Sequence, residues 1–470
     1  MAQGKAPERL LSLDAVRGIA ILLMMLSSAI PFTGDMPGWM FHAQTPPPTF
    51  RFDPTVPGIT WVDLVFPMFL FAMGAAIPLS LSRRTAESQW KAVGGLIWRG
   101  ALLGAFAFFS QHFQPRVIDR TPSPEIWWLA FGMFFVAILI WGLYPKSWSA
   151  WLRYGLQAVG WAIAIWVMFS LTWGDAHGPG PTVARSNPII LVLANMALFG
   201  GAIWLATRGS VLVRAGVMAA VLALFVGSTV PDSLSARIWE WTPLAWLTGW
   251  VYWKYLLLII PGTILGDLLI GLRVAPDHDS PPAWRWWRTL PLSLACLALL
   301  VSILVVYYVR ADWTVTLPLF AAIGLLALRP GDGFERSVAA IVAWSLAWLF
   351  FGGLMEPFQD GIKKDPATIS YLLTMSGLSG LALAALMILE RLRVALPVTR
   401  FVAASGQNAL LAYAAISNLV GPIWHGTPLG AWVAERTPGP ALGTVRGFMQ
   451  VLLLAVLVWL FTKARIFMRA

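Results

Sequence analysis

Charge is what this chain of 470 residues has least of. Asp, Glu, Lys and Arg make up 12% of it, about half the share found in soluble globular proteins. With 58% hydrophobic residues, 27 Trp and 26 Phe, that scarcity excludes both a soluble domain and a disordered chain. Cysteine is almost missing. The single Cys296 rules out an internal disulfide framework and a cysteine-based metal cluster, and its apolar run reads as packing. None of the five histidines has metal-ligand spacing such as H-E-x-x-H, so no metal is expected. No polar Gly/Ser linker marks off a second domain, and no fixed period suggests a solenoid or propeller.

What the chain does have is a series of unbroken apolar runs of about 20 residues, the length of a membrane-crossing helix. Outer-membrane barrels show alternating segments of about 10 residues instead. The expected fold is therefore all-α: a polytopic transmembrane helical bundle of about 11–14 spans, with residues 1–470 forming one integral membrane domain. Fourteen segments qualify: 12–30, 60–81, 92–110, 125–143, 151–172, 187–206, 211–229, 245–271, 289–308, 313–328, 337–354, 368–389, 400–421 and 446–463. The weakest is 313–328, and Pro261-Gly262 marks a candidate break in the eighth.

Basic residues outnumber acidic ones by 33 to 22. They are scattered over short loops, which speaks against nucleic acid and for membrane flanks. An alternating topology with an inner N-terminus puts two-thirds of the Lys and Arg on the cytoplasmic side, including Arg83, Arg84, Lys146, Arg208, Arg391, Arg393 and Lys463. Both termini are then cytoplasmic. Asp14 and Arg17 interrupt the first segment, which is not expected to be a cleaved signal peptide.

Two outer loops concentrate chemistry. The first, 31–59, carries seven prolines (Pro31, Pro37, Pro46, Pro47, Pro48, Pro54 and Pro57) among Phe32, Trp39, Met40, Phe41, Phe50 and Phe52, and is expected to form an ordered cap. His42 lies within it, and an imidazole titrating near neutrality can shuttle a proton. Thr60-Trp61-Val62-Asp63 follows. It reads as a helix-capping box, and Asp63 can also orient an imidazole. The second loop, 355–368, holds Glu356, Gln359, Asp360, Lys363, Lys364 and Asp365, with two adjacent lysines on the side where the positive-inside bias disfavours them. His112, His177 and His425 also fall outside and read as interfacial residues; His278 falls inside. Lys254 lies among Trp250, Tyr252, Trp253 and Tyr255 and reads as part of an interfacial belt.

At the inner surface, Asp14 and Arg17 share a helix face at i,i+3, and Arg99 stands at the same level. The buried amides in Ser405-Gly406-Gln407-Asn408-Ala409 need partners, either helices or a ligand.

These residues carry a resemblance. Leu11-Ser12-Leu13-Asp14-Ala15-Val16-Arg17-Gly18-Ile19-Ala20, Phe41-His42-Ala43-Gln44 and Gly58-Ile59-Thr60-Trp61-Val62-Asp63-Leu64-Val65-Phe66-Pro67 resemble heparan-α-glucosaminide N-acetyltransferase and its bacterial relatives. Pro37-Gly38-Trp39-Met40, the triple proline, Gly361–Thr368 and Gly406-Gln407-Asn408-Ala409 are similar to a related bacterial family of unknown function. The resemblance is specific over residues 9–80 and patchy at 355–380 and 400–415. It implies a transmembrane acyltransferase of the bacterial inner membrane that moves an acetyl group from cytoplasmic acetyl-CoA to an amine or hydroxyl of an extracytoplasmic carbohydrate or glycolipid. Membrane lipids surround the protein, and a homodimer is compatible with this reading. The family's catalytic histidine falls on His42, with Asp63 beside it as general-base partner; an acetylated His42 is the other route. Gln44, Ser28 (where the family has asparagine), Lys363, Lys364, Gln407 and Asn408 are candidates for the acceptor, and Asp14, Arg17 and Arg99 for the CoA nucleotide. An insertion, Thr45–Pro57, displaces the family's Trp-Asn-Gly, and fourteen spans exceed the family's eleven. A secondary transporter is the competing class, although such folds show paired broken helices at the membrane midplane.

Reporter fusions or cysteine labelling at the loops should place both termini in the cytoplasm. A periplasmic C-terminus would sink the even number of crossings.

Overall fold

The computed structural model of the chain describes residues 10–33, 36–242, 244, 247, 249–271, 286–311, 316–327, 333–392 and 394–469. His278 and Arg393 lie outside them. Helices dominate, and the described residues hold one isolated antiparallel bridge, Gly142 to Met468, and no strand. Eleven helices among them are long and apolar enough to cross a membrane, which makes this an all-α polytopic bundle. The helices used below are α1 (Leu11–Ala29), α2 (Trp61–Glu87), α3 (Gln89–His112), α4 (Pro124–Trp141), α5 (Ala150–Ser170), α6 (Pro188–Thr207), α7 (Val211–Gly227), α8 (Leu256–Gly271), α9 (Trp286–Val309), α10 (Thr316–Ala327), α11 (Gly333–Met355), α12 (Ile369–Glu390), α13 (Leu396–Gln407), α14 (Ala409–Ala415) and α15 (Gly439–Lys463).

Three of the fourteen expected segments differ from a single long span. Segment 211–229 is the 17-residue α7, and 313–328 shortens to the 12-residue α10. Segment 400–421 is discontinuous. Asn408, at φ −120° and ψ 46°, separates α13 from α14, and a π-helical turn at Ile416–Val420 leads into Gly421–His425. The eighth segment, by contrast, does not break at Pro261. A proline releases the carbonyl four residues back, here that of Leu257, and the Ser376 hydroxyl faces that oxygen at 3.3 Å.

The axis of the bundle is α12, which is buried along nearly its whole length. Such a helix must be acceptable to neighbours on every side, and small residues make it so. Gly377 and Gly380 lie against Leu349 and Ser345 of α11, and Gly352 of α11 lies against Thr374. The Ser376 and Ser379 hydroxyls donate back to their own helix, to the carbonyls of Leu372 and Met375. Helices α2, α8, α9 and α11 pack round this axis as small-residue contacts in membranes allow.

Helix α1 defines the two ends of the molecule. Its C-terminal end joins the cap through Leu26, Ile30, Met36 and Phe41. Its N-terminal end crosses α13, where a Cβ on Gly18 would sit 2.1 Å from the Val402 carbonyl oxygen and one on Gly406 would sit 1.8 Å from that of Asp14. At about 1.5 Å per residue, these 19 residues separate the two ends by about 28 Å.

Gly406→Ala should therefore force α1 and α13 apart and cost about 1–3 kcal/mol, read as a lower Tm in detergent. Gly155→Ala on α5, where nothing lies within 4 Å, should leave Tm unchanged or raise it. Equal melting of the two variants would remove the close crossing from the account.

Candidate active site

The site begins with the first turn of α2. The Asp63 carboxylate, 2% exposed, accepts the Thr60 N–H at 2.9 Å and the Ala43 N–H at 3.3 Å on Oδ2. In return, the Val62 N–H donates to Thr60 Oγ1 at 3.2 Å. This is the reciprocal cap expected from the sequence. The Thr60 hydroxyl donates to the Phe41 carbonyl at 2.7 Å, tying the residue before His42 to the same turn. Oδ1 of Asp63 is left for the imidazole, with His42 Nδ1 at 2.6 Å. The carboxylate thus starts a helix and holds a histidine at once.

The cap keeps His42 in place. Phe32, Phe41 and Phe50 form a cluster with centroids 4.8–5.4 Å apart. A short 3-10 turn at Gly38–Met40 precedes His42, and Gly38 leaves no room for a Cβ, which would meet the Tyr308 hydroxyl at 2.3 Å. The described part of the 31–59 segment is thereby anchored through aromatic packing and backbone contact.

The second outer loop reaches over the first. The Gln44 side chain donates to the Asp365 carbonyl at 2.6 Å and to the Pro54 carbonyl at 3.2 Å, and accepts the Asp365 N–H at 2.9 Å. The Gly58 N–H donates to the Ile362 carbonyl at 2.7 Å, with Gly58 at φ +126°, a conformation that favours glycine. These bonds bring in Lys364, whose Nζ is 3.1 Å from His42 Nδ1 and 3.2 Å from Nε2, and 4.0 Å from Asp63 Oδ1. A group equidistant from both nitrogens and lying in the ring plane would collide with Cε1, so the ammonium lies over the face of the ring. Burial pushes the Lys364 ammonium below the ordinary lysine value, and the carboxylates of Asp63 and Asp365 push it part of the way back. The Tyr371 hydroxyl, at the start of α12, donates to the Asp63 backbone carbonyl at 2.7 Å.

The structure therefore brings together His42, Asp63, Gln44 and Lys364, but it makes Gln44 a pin between the loops, since its amide is engaged with backbone. Asn408 is likewise a backbone clasp. Its side chain donates to the Ile466 carbonyl at 2.8 Å and accepts the Met468 N–H at 3.1 Å. Gln407 and Asn408 stand beside the α1–α13 crossing, at the end of the bundle away from His42. Ser28 is exposed, and its hydroxyl donates to the Met25 carbonyl at 2.8 Å, as serines in helices commonly do. Lys363 contributes its backbone to a turn with Thr368. At the far end, Arg17 is 3.4 Å from Asp14, and its guanidinium lies 5.6 Å from the centre of the Phe69 ring. Arg99 lines a cavity of about 40 Å³ with Met73, Ile77, Ser80 and Ala197.

The other histidines separate by environment. His112 does not keep a ring nitrogen in solvent. It is fully buried beneath the 171–187 loop, with Nδ1 2.8 Å from the Phe108 carbonyl and Nε2 accepting the Thr182 N–H at 3.3 Å. His425 stacks on Trp127, and His177 is exposed. Sequence reasoning missed Tyr371. The only trace of it was its place one turn after the polar loop.

The fold and the site define an integral membrane protein with a histidine–carboxylate pair at one end of a helical bundle. The chain belongs to the family described as Domain of unknown function (DUF5009), which matches residues 9–269. A stretch of 99 residues is 34% identical to the heparan-alpha-glucosaminide N-acetyltransferase of Homo sapiens, covering 21% of this chain and 13% of that protein. The chain is thus distantly similar, over a small part of both lengths, to an N-acetyltransferase.

Asp63→Asn puts an amide where two N–H groups and the imidazole need acceptors. It should cost about 1–3 kcal/mol in stability and remove most of any turnover. A variant that melts like the wild type would contradict the double role.

Proposed function

We propose that the protein is a transmembrane acyltransferase, with His42 as general base and the acetyl group of cytoplasmic acetyl-CoA as its cargo. The observation that carries this reading is the 2.6 Å contact of His42 Nδ1 with Asp63 Oδ1. With the Nδ1 proton donated to a buried carboxylate, the Nε2 lone pair faces the reactants. The ring is 37% exposed, so it is the accessible member of the pair. The acceptor amine or hydroxyl gives its proton to Nε2 as it attacks the thioester carbonyl. The same proton then goes to the departing sulfur. The acceptor is a carbohydrate or glycolipid on the extracytoplasmic side, and Lys363 recruits any anionic group on it.

The donor enters from the opposite end, which on this reading is cytoplasmic. Arg17 and Arg99 stand on α1 and α3, the helices before and after α2, and supply guanidinium groups suited to phosphates, with Asp14 orienting Arg17. From Arg17 to Ile30 the helix rises about 20 Å, the span an extended thioester arm has to cover. The cavity beside Arg99 holds a few waters rather than such an arm, so binding requires the surrounding helices to part.

The interrupted helix between residues 396 and 425 is the feature that would favour a transporter. Its polar break residue, Asn408, is tied to backbone instead of lining a path.

His42→Ala should lower acetyl transfer or thioester hydrolysis by roughly 10²–10⁴-fold, with CoA affinity near wild type and a Tm lowered by the loss of one of the Asp63 donors. Full activity of that variant in liposomes would remove His42 from the mechanism. Arg17→Ala and Arg99→Ala should weaken CoA binding, and unchanged affinity in both would reject these two residues.

A further inference from the structure

The ammonium over His42 is placed as a catalytic group would be. Lysine normally keeps its head in water, yet Lys364 Nζ sits in a partly desolvated position beside the imidazole. Among the described residues it makes no hydrogen bond to an oxygen. Its contacts are the ring nitrogens at 3.1 and 3.2 Å and Asp63 Oδ1 at 4.0 Å. An ammonium has three N–H donors. Nδ1 is already paired with Asp63, and a position over the ring face uses none of the three well. The donors are thus held, and left available, next to the nitrogen where the acceptor must lose its proton.

We propose that Lys364 is a further catalytic residue, supplying the positive charge and N–H donors that stabilise the oxyanion formed at the thioester carbonyl. This rests on the acyltransferase reading with His42 as base. The acceptor's proton moves to His42 Nε2 as its lone pair bonds to the carbonyl carbon, and the carbonyl π electrons pass to oxygen beside Nζ. When the oxyanion collapses, the C–S bond breaks and the sulfur takes the proton from Nε2. Acylated acceptor and CoA thiol leave, and the imidazole returns to its starting form. A nucleophile in contact with Nε2 puts the carbonyl oxygen one bond further on, within reach of an ammonium 3.2 Å from the same nitrogen. Preorganised charge in a desolvated site is worth more than in water and needs no reorganisation during the reaction.

The position of Lys364 is built in. Asp365, the next residue, is held through both its backbone N–H and its carbonyl by Gln44. Lys363, the preceding one, is held in the turn with Thr368. The charged and titratable groups about the imidazole are Asp63 and Lys364, with Asp365 beside them, Tyr371 on the Asp63 carbonyl, and Lys254 and Tyr255 within electrostatic reach of Asp365. Lys364 alone of these has donors over the ring.

The test uses the full chain in liposomes with acetyl-CoA, following release of CoA thiol. Lys364→Met should lower kcat by roughly 10²–10³-fold, with KM for acetyl-CoA changed less than about threefold. Lys364→Arg, which keeps a cation and donors, should retain more activity than Lys364→Met. Added methylammonium should restore part of the kcat lost in Lys364→Ala and none of that lost in His42→Ala. A role limited to holding the loop would show no such rescue. Wild-type kcat in Lys364→Met, a loss confined to KM, or absence of rescue overturns the oxyanion role alone. A wild type that releases no thiol, or a fully active His42→Ala, overturns the underlying reading as well.

Discussion

The Asp63 carboxylate is the constraint on which the outer end of the molecule depends. A carboxylate removed from water must be surrounded by donors, because an unpaired buried charge costs several kcal/mol. Its donors come from three places in the fold: the first turn of α2, the backbone after His42, and the imidazole. Each supplier is fixed by what the carboxylate needs. The helix cannot start, the cap cannot close and the ring cannot orient independently of one another. Tyr371 extends the constraint to α12, the helix with least contact with the surroundings.

Much of this was legible in the sequence because it is local or periodic. Of the fourteen segments that apolar length picks out, eleven are long spanning helices among the described residues. The cap and the Thr60–Asp63 box are short-range patterns, and His42 is only 21 residues from its carboxylate. What was not legible depends on contacts distant along the chain. Gln44 meets Asp365 across 321 residues and Lys364 meets His42 across 322. A polar amide in the sequence does not say whether its partner is ligand or backbone, so Gln44 and Asn408 read as ligand-facing and proved to be clasps. His112 failed for the same reason. Its position at a helix end suggested an interface, whereas the loop bearing Trp173 and Thr182 folds over it. The break at Asn408 lies in a run whose hydropathy is that of an ordinary span.

The family match and the site have different extents. Residues 9–269 hold His42, Asp63, Arg17 and Arg99. Lys364, Asp365 and Tyr371 lie beyond that region, yet Lys364 is the closest cation to the imidazole and Tyr371 supports the backbone of Asp63. The His42–Asp63 pair thus lies within the part of the chain that the family match covers, and Lys364 and Tyr371 reach it from the loop before α12 and from the first turn of α12. Two proteins that share this matched region can therefore share the histidine–carboxylate pair and differ in the groups that face it.

The clasp at Asn408 has a consequence for biosynthesis. A membrane bundle is threaded into the bilayer in order of synthesis, and Asn408 emerges well before the residues it grips, Ile466 and Met468. The same closing segment pairs with the end of α4, through Leu143 N–H to the Phe467 carbonyl at 2.8 Å and Arg469 N–H to the Trp141 carbonyl at 2.9 Å. Until α15 is in place, the joint between α13 and α14 has a polar amide with no backbone to hold. The joint therefore reaches its final hydrogen-bonding state only once the segment after α15 has been added, so the last residues made complete a helix begun some 60 residues earlier.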